Sequence, residues 1–144
     1  GAEGEYRRRY ITTTFRTRLH QRSFRLRVLA AYQSQCAFCR LRRAELLDAA
    51  HIIPDSDPLG EPTVNNGLAL CKIHHAAFDR HFIGVTPDYR IVIRKELLEE
   101  EDGPMLRHGI QAMHGQRLVL PRKRTELPDR DLLALRYELF QRAM

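Results

Sequence analysis

The chain has 144 residues, of which 43% are hydrophobic, and it carries a net charge of +6 at pH 7. This length is typical of one ordinary domain with a modest core. The sequence contains no apolar run near the roughly 18 residues that predict a membrane span, which excludes a membrane-spanning protein as the expected class.

The first five residues, Gly-Ala-Glu-Gly-Glu, contain neither an initiator methionine nor the apolar segment of a secretion signal. We expect them to be in part a remnant of a cloning vector. We also expect the full-length protein to contain a further module upstream. Residues 1–18 would then form a basic arm that links that module to a domain over residues 19–144.

Positive charge is concentrated in the first fifth of the chain. Residues 1–27 hold eight arginines against two glutamates, whereas the rest of the chain holds 16 basic and 16 acidic side chains. An arginine cluster at one end is typical of a surface that binds nucleic-acid phosphates, although a solvated basic tail would have the same composition. The residues predicted to contact DNA here are Arg7, Arg8, Arg9, Arg16, Arg18 and Arg22.

A helix is predicted over residues 19–35, because apolar side chains recur there at helical spacing and arginines occupy the other face. It ends at the C-x-x-C pair of Cys36 and Cys39. This pair, in a charged chain with an odd number of cysteines, favours a metal site over disulfides and therefore a reducing, cytoplasmic setting.

A second half-site, C-x-x-H, runs from Cys71 to His74. Three thiols and one imidazole are a suitable ligand set for a structural Zn²⁺ ion, which prefers four tetrahedral nitrogen and sulfur ligands. The neighbouring His75 could in principle replace His74. The spacing favours His74, because it repeats the two-residue separation of the first half-site.

Between and after the half-sites, the pattern predicts a short alternation of elements. In chain order these are a strand over 45–53, a loop over 54–67, a strand over 68–70 and a helix over 72–80. Pro54 ends the first strand, so His51 lies near its end. Asn66 lies in the loop before a glycine, in a pair that is also an ordinary turn signal.

The rest of the chain carries fewer chemical signals. The predicted features are a hairpin over 82–94, an acidic stretch over 96–102, a strand over 117–120, a basic linker over 121–124 and an amphipathic helix over 129–144. We expect the final helix to pack against the domain, and we assign no chemistry to it. Residues 96–114 have no function that follows from their sequence.

The middle of the chain resembles the HNH endonuclease family, and within it the HNH domains of bacterial restriction endonucleases. The strings that carry the resemblance are Ala-His-Ile-Ile-Pro at 50–54, Asn-Gly-Leu-Ala-Leu-Cys at 66–71 and His-His-Ala-Ala-Phe-Asp at 74–79. The resemblance implies an α+β fold with a ββα-metal core, which we place at about 36–82. A basic N-terminal helix and a C-terminal helix would flank this core.

The resemblance also implies a role for each motif residue. His51 would be the general base that takes a proton from the attacking water. Asn66 would brace the catalytic loop or approach the metal, with Asn65 as an adjacent alternative. His75 would bind a catalytic Mg²⁺ or Mn²⁺ ion.

One metal ligand of the broader family is missing, because many HNH enzymes carry Asp or His where this chain has Ala50. We expect Asp79 to replace it, since it lies four residues after His75 on the same helix face and a carboxylate suits a hard cation. Asp48 is the alternative ligand, and Asp79 would then be a partner of His75 or part of a surface salt bridge. His81 is expected to contact the scissile phosphate or to act as a cation at the helix end.

These observations predict a metal-dependent DNA endonuclease domain, the cleavage module of a restriction enzyme, including one that depends on DNA modification. DNA is the expected partner, and a homodimer would let two such sites cut both strands. A non-catalytic zinc-stabilised DNA-binding module and a nuclease toxin are the alternatives. The first would bind zinc and DNA without cleavage, and the second would need an immunity partner.

Overall fold

Four α-helices and two small antiparallel sheets make up the protein, and the computed structural model describes all residues, 1–144. The elements are α1 (Ala2–Ala31), β1 (Leu47–His51), β2 (Gly67–Cys71), α2 (Lys72–Asp79), β3 (Ile83–Val85), β4 (Ile91–Ile93), α3 (Lys95–Glu99) and α4 (Arg130–Ala143). A π-helical segment spans Met105–Ile110. None of the helices has both the length and the apolar character needed to cross a membrane. The predicted α+β class is confirmed.

The centre of the fold is a ββα unit made of β1, β2 and α2. The two strands are antiparallel, with Leu47 opposite Cys71 and His51 opposite Gly67. Helix α2 follows β2 directly, because the Cys71 sulfur accepts a hydrogen bond from the His74 backbone and caps the helix. The predicted order of strand, loop, strand and helix is therefore observed, with β1 shorter than the predicted 45–53.

Helix α1 covers one side of this unit with its C-terminal third. Phe24 and Val28 are buried there against the sheet. A Cβ atom on Gly67 would lie 2.5 Å from a Val28 methyl group, so the close approach of α1 to β2 requires glycine at the start of that strand.

The rest of α1 extends away from the domain. Residues 2–23 are exposed apart from the half-buried Thr14. The predicted helix over 19–35 is thus the end of a longer helix, which is continuous across the predicted boundary between residues 18 and 19. Its predicted C-terminal end was wrong: the helix ends at Ala31, because Gln33 and Ser34 adopt positive φ angles that an α-helix does not allow. The sequence prediction missed the N-terminal extension because its few apolar residues lie among arginines and polar residues and none of them is buried, so the apolar stripe of a packed helix is absent.

A second layer consists of the β3–β4 hairpin and α4. The hairpin matches the predicted one, and Ile83 pairs with Ile93. Helix α4 begins at the cap residue Asp129, whose carboxylate accepts two backbone N–H groups, and it agrees closely with the predicted helix over 129–144. Phe140 is fully buried and packs on Gly84, where an added Cβ would lie 2.6 Å from the phenyl ring.

The predicted strand over 117–120 was wrong. Arg117 forms a single bridge with Arg90. The next two backbone amides donate in different directions, Leu118 to Tyr89 and Val119 to Ala37. The segment therefore joins two parts of the fold, and it lacks the consecutive pairing with one neighbour that a strand requires.

Candidate zinc site and nuclease active site

The structure brings the four predicted zinc ligands together. Cys36 and Cys39 come from the loop after α1, Cys71 ends β2, and His74 lies in the first turn of α2. All four donor atoms lie within 4.8 Å of one another. The His74 Nδ1 atom is 3.6 Å from the Cys36 sulfur and 3.3 Å from the Cys71 sulfur. A tetrahedral zinc ion would separate such ligands by about 3.5 Å, so the set fits this ion.

The environment of these ligands also suits a metal ion. Hydrogen bonds from the other two thiols hold the pKa of Cys36 well below its usual range, against the effect of burial, and the thiolate is the form that binds metal. The His74 Nε2 atom lies 2.6 Å from the Gly109 carbonyl oxygen. Donation of the Nε2 proton to this oxygen leaves Nδ1 free to face the thiols. Gly109 belongs to the 104–114 stretch, for which the sequence indicated no function.

His75, the alternative zinc ligand, lies in a separate cavity of about 280 Å³ beside the ends of β1 and α2. The cavity has no apolar side chain except a proline in its lining. The lining residues are His51, Pro54, Asp55, His75, Asp79 and Arg136.

His51 enters the cavity from the end of β1, and its ring is held by α1. The imidazole stacks on the Phe24 ring with a centroid distance of 4.3 Å and an angle of 19° between the planes. Burial lowers the pKa of His51, while the carboxylates of Asp55 and Asp79 act in the opposite direction. The ring is therefore neutral at pH 7, which is the state required of a general base.

His75 lies between two carboxylates. Its Nδ1 atom is 2.8 Å from the Asp48 carboxylate, and its Nε2 atom is 3.2 Å from the Asp79 carboxylate. Asp48 is also paired with Lys72 and does not line the cavity, whereas Asp79 does. The two carboxylates thus occupy different places, with Asp79 inside the cavity and Asp48 behind the imidazole.

Asn66 is fully buried and binds the loop that follows β1. Its side chain accepts a hydrogen bond from the Ile53 amide and donates to the carbonyls of Ile53 and Glu61, at 2.9, 2.9 and 3.0 Å. It does not reach the cavity. Asn65 donates instead to two backbone carbonyls in the segment before α4. Asn66 therefore braces the backbone immediately after His51.

Arg136 is a cavity residue that the sequence interpretation missed. It lies on α4 with 7% of its surface exposed, and it donates to the Phe78 carbonyl at 2.8 Å. Its guanidinium lies over the Phe78 ring and 3.9 Å from the Asp79 carboxylate. The assignment of α4 to packing alone was therefore incomplete. An arginine within the buried stripe of an amphipathic helix was the available signal, because arginine is rarely buried unless it is paired.

Asp55 is the second missed residue. It follows Pro54 directly, and its carboxylate lines the cavity and raises the pKa of His51 against the effect of burial. The sequence offered one signal, its position beside the Ala-His-Ile-Ile-Pro string. Two carboxylates and one arginine thus surround the two histidines.

The six arginines predicted to contact DNA lie on the exposed part of α1. The next two arginines of the cluster have a different role. Arg25 donates to the carbonyls of Leu47 and Ala44, and Arg27 donates to the carbonyl of Pro62. They anchor α1 to the ββα unit, so the surface available to a partner is the segment before them.

His81 lies at the C-terminal end of α2, outside the lining of the cavity. Its backbone has φ +59°, in the left-handed region, and its Nδ1 atom is buried without a hydrogen-bond partner in the protein. Burial lowers the pKa of His81, and the nearby Arg136 and Arg94 lower it further. A neutral ring in this position is a weaker phosphate ligand than the predicted cation.

Replacing His81 by glycine is expected to stabilise the protein. Glycine adopts a positive φ without strain and removes the unpaired nitrogen, so a gain of about 1 kcal/mol and a melting temperature higher by a few degrees are expected. Thermal unfolding followed by circular dichroism measures the effect. The control His81→Ala removes the ring but keeps the Cβ atom, and we expect a smaller gain. A lower melting temperature for His81→Gly would mean that the ring makes a net stabilising contact.

Comparison with known protein families matches the segment that contains the zinc candidates and most of the cavity residues. Residues 36–86 match the family model described as HNH endonuclease. This segment includes all four cysteine and histidine zinc candidates, and it includes His51, His75 and Asp79 from the cavity. The predicted resemblance is confirmed, and so is the predicted enzyme class, an endonuclease, for this segment.

One similar solved structure is described as a modification dependent TagI restriction endonuclease. It superposes on 81% of this chain with a TM-score of 0.52 and 17% sequence identity. This similarity extends beyond the HNH segment and shows a shared fold. The matched region spans 37% of that longer chain. No functionally curated protein matches the sequence.

Proposed function

We propose that this protein is the DNA-cleaving module of a restriction endonuclease, with the HNH segment over 36–86 as its catalytic part. The observation that carries the proposal is the cavity in which His51, His75 and Asp79 come together. The likeness to a modification dependent restriction endonuclease supports the finer statement that the full-length enzyme responds to modified DNA.

His51 is the proposed general base. Hydrolysis of a phosphodiester requires a water that loses its proton as it attacks phosphorus. The neutral imidazole can accept that proton, and the stack on Phe24 holds the ring in one plane. Asn66 contributes at a distance, because its bonds to Ile53 fix the backbone two residues after the base.

His75 and Asp79 are the proposed ligands of the catalytic cation. The 3.2 Å between the His75 Nε2 atom and the Asp79 carboxylate is close to the roughly 3 Å between adjacent ligands of an octahedral ion with bonds of 2.0–2.1 Å. A carboxylate and an imidazole therefore fit Mg²⁺ or Mn²⁺ here. When bound, this ion would supply charge stabilisation to the phosphate and the leaving oxygen.

Two further residues position these ligands. The Asp48 carboxylate accepts a hydrogen bond from the His75 Nδ1–H group and thereby directs Nε2 into the cavity. Carboxylates commonly hold metal-binding histidines in this way. Arg136 lies on the other side, 3.9 Å from the second oxygen of Asp79. Since Arg136 is fixed by the Phe78 carbonyl, it limits the directions in which Asp79 can turn.

The Cys36, Cys39, Cys71 and His74 cluster is proposed to hold a structural Zn²⁺ ion. A complete set of three thiolates and one imidazole leaves no open position for substrate. Such an ion ties the loop after α1 to the first turn of α2, from which His75 projects. Its function is thus to hold the helix that carries the catalytic metal ligands.

DNA is the proposed substrate, and the exposed arginines of α1 are proposed to contact its phosphates. Because the similar structure belongs to a longer chain, we also propose a separate specificity module in the full-length protein. Cleavage of both strands would require a homodimer, since each copy has one candidate catalytic metal site.

The proposed function is tested by incubating supercoiled plasmid with the protein and Mg²⁺ or Mn²⁺, on unmodified and cytosine-modified DNA. We expect cation-dependent nicking or linearisation by the wild type. The Asp79→Ala variant should cut at least about tenfold more slowly and need more cation, because it lacks one metal ligand. Agarose electrophoresis over a cation titration provides the measurement.

The matched control is Glu138→Ala, which removes an exposed carboxylate from α4 and should behave as the wild type. Unchanged cation dependence in Asp79→Ala would remove that residue as a ligand. If the wild type binds DNA but cuts none under any of these conditions, the protein is a non-catalytic zinc module and the proposal fails.

A further inference from the structure

A second groove, with a volume of about 210 Å³, adjoins the catalytic cavity. Helix α1 supplies one wall with Thr17, His20 and Gln21. Asp55 and His51 line both the groove and the cavity, so the two spaces adjoin at the proposed base. A group bound in the groove would therefore lie next to a phosphate bound in the cavity.

The groove continues as a defined face of α1. With 100° of rotation per residue, Tyr6, Tyr10, Thr13, Thr17 and Gln21 fall on the side of the helix that also bears Phe24. The two tyrosines are 70% and 64% exposed. From residue 6 to residue 24 this face is about 27 Å long at a rise of 1.5 Å per residue. We refer to these five residues as the α1 track.

Charge is distributed around the α1 track in a regular way. The track itself contains no lysine or arginine, while the same helical rotation places Arg9 and Arg16 along one side of it and Arg7 and Arg18 along the other. Aromatic rings between rows of arginines are typical of surfaces that follow a nucleic-acid strand, since rings contact bases and sugars while arginines reach phosphates.

The chemistry of the groove favours a nucleoside over a phosphate. The groove lining contains the Asp55 carboxylate and no lysine or arginine, whereas in the catalytic cavity Arg136 and the proposed cation offset the same carboxylate. The arginines nearest in sequence point to other sides of α1. Asp55 accepts hydrogen bonds, while Gln21 both donates and accepts them. A carboxylate recognises the exocyclic amino group of a base, as acidic side chains do with cytosine. Thymine has no such group.

We propose that this groove is a nucleotide subsite. It receives the nucleoside next to the scissile phosphate, with a preference for bases that carry an exocyclic amino group, and the α1 track guides the strand away from the active site. This inference rests on the proposed function, because it places the adjoining phosphate in the catalytic cavity.

The test compares two substrates. One is duplex DNA, and the other is bis(p-nitrophenyl) phosphate, a phosphodiester without a nucleoside. The double variant His20→Ala/Gln21→Ala should lose at least about tenfold in kcat/KM on DNA, since contacts to a base carry discrimination of that size or more. Its rate on the small diester should stay unchanged. Sequencing of the cut ends should show that the wild type disfavours thymine beside the cut, and that Asp55→Asn, which removes the recognising carboxylate, reduces this preference.

The control variant is Thr12→Ala/Ser23→Ala, which removes two uncharged polar side chains from the side of α1 turned away from the groove. It should match the wild type on both substrates. Equal losses of kcat/KM on both substrates in His20→Ala/Gln21→Ala would show that these residues support the catalytic centre. No loss of kcat/KM on either substrate would show that the groove does not bind the substrate. Both results overturn the subsite while leaving the proposed nuclease intact. A wild type that hydrolyses neither substrate would overturn the proposed function and the subsite together.

Discussion

Plasmid cleavage is expected to fall by about 10²- to 10⁴-fold when His51 is replaced by alanine, the range that a positioned general base contributes. The ring is neutral because burial lowers its pKa, and it is held by the Phe24 stack at 4.3 Å. No other histidine shares both the cavity and this proximity to the end of β1. In His75, the second histidine of the cavity, Nδ1 is paired with Asp48 and Nε2 is the proposed metal-binding atom, so neither nitrogen is free to accept a proton.

The His51→Ala variant also loses the stack on Phe24, so reduced activity must be separated from reduced stability. The variant His51→Asn keeps a planar polar group without a basic nitrogen and should be equally inactive. Added imidazole should restore part of the activity of His51→Ala, because the space beside Phe24 can admit the ring. In His51→Asn, the zinc content and the melting temperature should stay near those of the wild type. A wild-type rate in His51→Asn would exclude His51 as the base.

Zinc content and folding are expected to be lost together when His74 is replaced by alanine. Structural zinc sites of this type bind with an apparent free energy of about 10–16 kcal/mol, which is comparable with the entire stability of about 5–15 kcal/mol of a small domain. The cluster joins the loop after α1 to α2, in addition to the backbone hydrogen bonds that Ala37 makes with Ala69 and Val119. Removal of one ligand should therefore unfold the ββα unit rather than weaken it slightly.

The adjacent His75 provides a matched control. His75→Ala should keep one zinc ion per chain and a cooperative thermal transition, while it loses cation-dependent cleavage. Metal analysis of the purified variants and far-ultraviolet circular dichroism distinguish the two positions. Retention of zinc and fold in His74→Ala, with loss of both in His75→Ala, would reverse the two assignments.

The sequence alone was enough to predict those site residues that are separated by only a few positions along the chain. Cys36, Cys39, Cys71 and His74 lie in two half-sites with two residues between ligands, and two such half-sites need only one close approach to form a cluster. The positions of His51 and His75 followed from strings of five or six residues. In each case the relevant geometry is local, so the sequence pattern contains it.

The remaining parts depend on contacts between distant segments. Arg136 reaches the cavity only because α4 packs on β3, which places its guanidinium beside the Phe78 carbonyl at the end of α2. Gly109 meets His74 only through the path of the 104–114 stretch. No local pattern records either contact. The predicted strand over 117–120 failed for the same reason, since its partners Tyr89 and Ala37 lie in two different turns.

The continuity of α1 has a mechanical consequence. A helix of 30 residues is a rod about 45 Å long, and each residue adds about 1.5 Å of length and 100° of rotation. Any module joined to its N-terminal end would therefore be held at a set distance and a set angle from the cleavage centre. In such an arrangement the length of α1 sets the position of the attached module. One inserted residue would rotate the module by about 100° around the helix axis, to another side of the DNA. About seven inserted residues would return it to nearly the same side, roughly 10 Å further from the cleavage centre.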